Sequence, residues 1–358
     1  MTIRSTALIA SCAALAGCGG VPEVHPVAER ADTVFAAVEE DGALAEVDGT
    51  TGALIRTIDL SEVTHGVAMR FDVHNVQAAP DGRTVWLTAM PAAAHEHSSE
   101  LMPDELIGVD TSTARVTTRI ELGEALHAAH VVLRGSLAYV TAYEADLVLV
   151  VDLASERVIR TFPLPPGTHP HGARLTPDGV TLVVAGMGDG SMHTIHTGTG
   201  YVESYALPGR AIQTAVLPDG SAAFATVYDT RQVAKLDLSA GSVSLFDLPD
   251  GAAGPVQLYP AADATLWIAD QGMLDGDEAG HRLYRMRADD GAVDLTVDVS
   301  PAPHGVVVNA ESGRVWTTTL VEGTVQAVDG SSGEVVWTTP VGNGPNGITC
   351  LHTGGVMP

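Results

Sequence analysis

The sequence predicts an all-β protein: a seven-bladed β-propeller of four-stranded antiparallel blades. Three observations carry this. A strand–turn–strand unit recurs at intervals of about 40–50 residues, the length of one propeller blade. No long helical periodicity is present, while Gly (38) and Pro (20) are plentiful and aromatics make up only 4%, a composition suited to many short strands. The two ends of the chain carry partial units that complete one another.

Residues 1–20, MTIRSTALIASCAALAGCGG, read as a targeting segment outside the fold. Arg4 supplies a positive start, and residues 7–14 form an apolar stretch too short to span a bilayer. Leu15-Ala16-Gly17-Cys18 resembles the lipobox of bacterial lipoproteins. That resemblance implies a signal peptide over 1–17, a lipid on Cys18, and a short tether over 18–30. Gly19, where Asp would retain the protein at the inner membrane, implies sorting to the outer membrane of a Gram-negative cell. Cys12 then leaves with the signal and Cys18 carries lipid, so Cys350 has no partner for an intrachain disulfide.

From residue 31 the repeats begin. One set of hairpins occupies 43–60, 106–122, 147–164, 192–207, 232–248, 283–299 and 324–341. A second set lies between them at 73–90, 126–143, 170–186, 211–228, 255–270 and 303–320. Turns such as Pro177-Asp178-Gly179 put φ-permissive residues where the chain reverses. The chain opens on a second-strand-like segment, 33–39, that lacks a first strand, and closes on an orphan first strand, 345–352. Joining them gives a seventh blade with strand A from the C-terminus and strands B, C and D from the N-terminus. Closure removes the free sheet edges that would template aggregation. A single propeller over 31–358, with no second domain, is expected.

Pro170-His171-Gly172, Pro177-Asp178-Gly179 and Leu182-Val183-Val184-Ala185 in succession resemble the units of the YVTN-repeat β-propeller family. The likeness covers the whole chain after the tether and implies the fold; it implies little about activity. Gly333-Glu334-Val335-Val336-Trp337 resembles the Trp-containing repeat of quinoprotein dehydrogenases, but it occurs once, so no quinone cofactor is inferred.

The formal charge of −26, from 44 acidic and 18 basic residues, disfavours nucleic acid and anionic membrane surfaces as partners. No Gly-x-Ser-x-Gly, His-Glu-x-x-His, phosphate loop or Cys-x-x-Cys-His is present, which argues against a serine hydrolase, a zincin and a c-type cytochrome.

Candidate chemistry gathers at one end. In a propeller the D–A and B–C connections share one face, here called the top. Counting from the turns, the start of each A strand holds His74, His127, His171, Ile212, Pro255, His304 or Asn346. Four imidazoles around the channel mouth suit a transition metal. The competing reading is that Pro-His-Gly is a scaffold turn whose imidazole bonds the nearby backbone. Top loops add His65, Met69 and Asp72, then Met90, His95, His97 and Met102, then Met187, Met192, Met273 and His281. Imidazole with thioether points to copper before zinc or calcium. Acidic groups also reach the top: Glu39, Glu40, Asp41, Glu144, Asp146, Asp229 and Glu322. They would suit calcium or another divalent ion.

The first expectation is therefore a lipid-anchored, monomeric envelope propeller that binds a ligand or copper at its mouth without turnover. The propeller of nitrous oxide reductase is analogous in ringing this mouth with histidines, but this chain has fewer of them and no electron-transfer copper domain. The second is a lyase or lactonase resembling the streptogramin-lyase propellers, with His304 or His171 as base and Glu322 or Glu144 beside a divalent ion. The third is a scaffold that binds an envelope protein or glycan without metal. His130, His193 and His196 fall inside expected strands and read as structural.

Overall fold

The computed structural model describes residues 32–64, 67–92 and 102–351. Among them, strands assemble into seven four-stranded antiparallel sheets and one small two-stranded hairpin. Blade 1 runs Phe71–Ala78, Thr84–Pro91, Pro103–Asp110 and Arg115–Glu124 as strands A to D. Strand A, the innermost, begins blade 2 at Ala128–Arg134, blade 3 at Pro170–Leu175, blade 4 at Ala211–Val216, blade 5 at Pro255–Pro260 and blade 6 at Pro303–Val308.

Blade 7 is built from both ends, as expected. Its A strand is Pro345–Leu351 and its B, C and D strands are Thr33–Val38, Ala43–Asp48 and Leu54–Asp59. The closing pair is antiparallel, with Val34 opposite Cys350 and Phe35 opposite Thr349. Closure also buries apolar surface: Phe35 packs with Leu44, Phe71, Leu87 and Ile107 between blades 7 and 1. On the other side Val34 and Val47 join Trp316 and Trp267. Each such side chain contributes about 1.5–3 kcal/mol when fully buried, so the closure is held by packing as well as by its ladder.

Burial falls off from the inside outward because only the inner strands are covered on both faces. The A strand of blade 6 is buried throughout, whereas its D strand, Val335–Pro340, alternates with solvent. Four of the bottom C–D turns share one device. An Asp at the end of strand C accepts hydrogen bonds from the N–H groups two and three residues on. Asp110 takes Ser112 at 3.0 Å and Thr113 at 2.8 Å, and Asp329 takes Ser331 at 2.9 Å and Ser332 at 3.0 Å. Asp48 and Asp237 do the same.

Adjacent blades are stitched near the top by threonines. Thr141 Oγ1 accepts from the His130 N–H at 3.0 Å and donates to the His171 carbonyl of the next blade at 2.7 Å. Thr226 links Gln213 to Val256 and Thr318 links Gly305 to Asn346 in the same way. These stitches fix the register of the inner strands, and hence which residues form the mouth.

One element was not anticipated. Glu62–Thr64 and Val67–Met69 pair as a short hairpin in the connection from blade 7 to blade 1. Among the described residues no helix is long and apolar enough to cross a membrane.

Candidate functional site

The residue preceding each stitched N–H, or offering its carbonyl to a stitch, defines one position per blade. That position holds His74, Ala129, His171, Ile212, Val256, His304 and Asn346. Two residues of the sequence-derived ring are thereby corrected. His127 lies two residues before the ring position of blade 2, where Ala129 stands, and Pro255 lies one before Val256. The cause in blade 2 is a shorter A–B turn: Arg134 pairs with Leu137 across Gly135 and Ser136 alone, whereas in blade 3 the chain reverses between Thr176 and Thr181, so counting back from the glycine of the turn lands two residues early. Aligning on Thr88, Thr141, Thr226 and Thr318, one residue type at one B-strand position, would have revealed the register.

Three ring histidines meet at the mouth. His74 is the hub: its ring centroid is 5.5 Å from that of His171 and 6.3 Å from that of His304, and the imidazole of His127, from two residues before the ring position, also reaches it at 6.0 Å. His74 Nε2 and His171 Nε2 are 3.4 Å apart. Each imidazole has its Nδ1 beside an oxygen. His171 Nδ1–H donates to the Ile212 carbonyl at 2.9 Å, which leaves its Nε2 a bare lone pair. His304 Nδ1 bonds the amide oxygen of Gln271, and its buried Nε2 has no partner. His74 Nδ1 faces Glu39 Oε1 at 3.3 Å and the Asn346 amide at 3.1 Å. Two tautomers of His74 follow from these partners. With Asn346 donating to Nδ1, His74 donates from Nε2 to His171. With Nδ1–H donating to Glu39, Nε2 is freed.

The electrostatics match. Burial, then the nearby charge of His74, brings His171 down to about 3 against the Ile212 hydrogen bond. Burial also brings His304 down to about 3. Both stay neutral at any ordinary pH. Burial pushes Glu39 upward, but the His74 charge and the hydrogen bonds from His74 and Asn346 outweigh it and hold the carboxyl down at about 2. Asn346 Nδ2 donates to Glu39 Oε2 at 2.6 Å.

These groups open into a cleft of about 790 Å³ whose wall includes Met187, Met273 and Glu322. Glu322 accepts from Ser300 Oγ at 2.5 Å and stands on the wall. Glu144 is exposed on the short turn Tyr143–Ala145, where its charge acts on His127. His127 stacks near Tyr143 at 5.1 Å, and Tyr143 near His169 at 4.7 Å. Met69 packs against the blade 7–1 core, and Met192 is fully buried. Met90 and Met102 are half-buried on blade 1 and do not line the cleft. His65, His95 and His97 lie outside the described residues, as do Cys18 and the lipobox.

Several loop carboxylates are engaged in ties. Asp146 accepts from the N–H groups of Gly167 and His169, Asp229 grips Arg210, and Asp41 accepts from Asn343. His193, expected to be structural, is buried between Asp189 at 3.0 Å and Ser204 at 2.9 Å. Among the described residues no three of His, Cys, Asp or Glu are drawn tightly enough to form a ready-made metal centre. The mouth is a close pair, His74 and His171, with the rings of His127 and His304 about 6 Å from His74. Gln271 and the Ile212 carbonyl, which orient two of the rings, carried no signal in the sequence.

No protein-family model and no curated protein matches this chain. Solved structures do. Virginiamycin B lyase from Staphylococcus aureus superposes with a TM-score of 0.64 at 17% identity, covering 78% of this chain and 91% of that one. A putative 6-phosphogluconolactonase from Bacteroides uniformis gives 0.64 at 13% identity, covering 90% and 100%. Hydrazine synthase from Kuenenia stuttgartiensis gives 0.60 at 18% identity, covering 79% and 96%. At these identities the likeness establishes the β-propeller fold.

Proposed function

We propose that this protein binds a transition-metal ion, copper before others, at the top mouth of its channel, as a lipid-anchored protein of the cell envelope. One observation carries the metal reading. Three imidazoles of one cleft each have Nδ1 beside an oxygen, the Nε2 atoms of His74 and His171 face one another, and the Nε2 of His304 is buried without a partner. Protein metal sites orient their histidines this way, with the non-ligating nitrogen donating to a carbonyl or carboxylate. The 3.4 Å between the Nε2 atoms of His74 and His171 is also close to the spacing of about 3.3 Å for two imidazoles on one tetrahedral ion.

His74, His171 and His304 would hold the ion. Binding requires the His74 proton to sit on Nδ1, where Glu39 accepts it, and His304 to approach the pair. Glu39 therefore orients His74 and is not itself a ligand in this reading. An all-imidazole set with Met187 and Met273 in the wall suits copper better than calcium. Bound there, such an ion supplies Lewis acidity or electron transfer. The envelope location rests on the lipobox at Cys18 alone, and release of a Cys18→Ala variant from the membrane fraction tests it.

The lyase reading stands second. It is favoured by the resemblance of the fold to a lyase and a lactonase and by the roomy cleft. It is opposed by the basicity of the mouth: imidazoles brought down to about 3 are weak general bases near neutral pH.

The test is titration of the metal-free protein with Cu(I), Cu(II), Zn(II) and Ca(II). Copper should bind tightly at one equivalent, and a His171→Ala/His304→Ala double variant should lose that binding. Unchanged affinity in the double variant would sink the proposal. Turnover of cyclic depsipeptide or lactone substrates by the wild type, abolished by the same changes, would establish the second reading instead.

A further inference from the structure

Below the mouth the channel narrows to a cavity of about 30 Å³ lined by Asn75, Gln77, His130, Arg174, Gln257 and Tyr259 among others. Arg174 follows the mouth histidine His171 by three residues on strand A of blade 3, and its side chain lines this cavity. No carboxylate lines this cavity, and among the described residues Arg174 makes no ion pair. Its Nη1 donates to His130 Nε2 at 3.0 Å and to the Ala173 carbonyl at 3.0 Å.

This arrangement leaves donors without acceptors. Because His130 Nε2 accepts from Arg174, its proton sits on Nδ1. His130 is 2% exposed, and both its Nδ1 and the Arg174 Nε are buried with no partner. The oxygens of Asn75 and Gln77 are taken by the Val131 and Leu133 N–H groups at 3.2 and 2.9 Å. The amide nitrogens are what those side chains have left to offer the cavity. A buried cation among surplus N–H donors, with no counter-charge, is costly unless something negative completes it.

We propose that the channel beneath the mouth holds one small inorganic anion of halide size, bound by Arg174 Nε–H together with the amide N–H groups of the cavity wall. The cavity has room for a guest the size of a water molecule or two, which selects a halide over a larger oxyanion. The net charge of −26 makes this pocket an exception to the surface field. The site is distinct from the metal site proposed above and does not depend on it.

The test uses the wild-type protein in sodium gluconate, with chloride or bromide substituted at constant ionic strength. The melting temperature should rise by roughly 3 °C for each tenfold increase in halide above its Kd. Crystals grown in bromide should show an anomalous peak within hydrogen-bonding distance of Arg174 Nε. An Arg174→Met variant should lose the halide dependence while remaining at least as stable as the wild type in gluconate, since an unpaired buried charge has gone. Halide-independent melting, or a channel holding only water in the bromide crystals, overturns the proposal. Should Arg174→Met fail to fold, the bromide map of the wild type decides alone.

Discussion

Gln271 offers the sharpest check on how the mouth is organised, because its amide oxygen orients a proposed ligand. It is 5% exposed, and its amide oxygen accepts from Nδ1 of His304, itself 7% exposed. Gln271→Leu keeps nearly the same volume and removes the acceptor. His304 is then free to carry its proton on Nε2, which blocks coordination, and the ring loses its fixed orientation. Loss of such an outer partner weakens metal binding about 10–100-fold, or about 1.4–2.8 kcal/mol. Gln271→Glu replaces the amide by a stronger acceptor and should bind copper at least as tightly as the wild type. Affinity is read by competition against a chelator of known strength, and metal-free melting curves confirm that both variants are folded. Equal affinity in the wild type and the leucine variant would refute the argument that Nδ1 anchoring organises the site.

Two further outcomes follow from the structure. Thr141→Val keeps the side-chain shape in a fully buried position but strands the His130 N–H and the His171 carbonyl. At about 1–3 kcal/mol for each unsatisfied group, the loss should be about 2–6 kcal/mol, read as a lower denaturant midpoint; an unchanged midpoint would show that the stitches are incidental. Acid should destabilise the protein in two stages. His171 and His304 titrate near 3 in the fold against 6.5 when unfolded, so their contribution is complete above pH 6.5 and declines as pH falls toward 3. Asp110, held down to about 2 by the Ser112 hydroxyl and the N–H and hydroxyl of Thr113, adds a contribution that is complete above about pH 4 and is lost as pH falls through 2. A denaturant midpoint that stays flat from pH 7 to pH 4 would contradict the neutral, buried state of the two histidines.

The sequence by itself determined the architecture. Strand–turn–strand repetition, Asp-Gly and Ser-Gly turns, and the complementary segments at 33–39 and 345–352 are local patterns, and each blade reads them almost independently of the others. They also placed His74, His171 and His304 on the top face, because period-2 strands of known direction leave little choice. What the tertiary structure decided is the register across blades. The threonine stitches and the short turn at Gly135 and Ser136 set His127 two residues before the ring position of blade 2, although its imidazole still lies 6.0 Å from that of His74. The partners of each imidazole were decided there too. Gln271 comes from the neighbouring blade, Asn346 from the opposite end of the chain, and the Ile212 carbonyl from a residue that looks inert in sequence. The same holds for Arg174, an ordinary strand arginine until seven blades close around it and leave it without a carboxylate. A side chain's chemistry is written in its own residue, but its proton, its orientation and its unmet hydrogen bonds are set by residues far away in the chain.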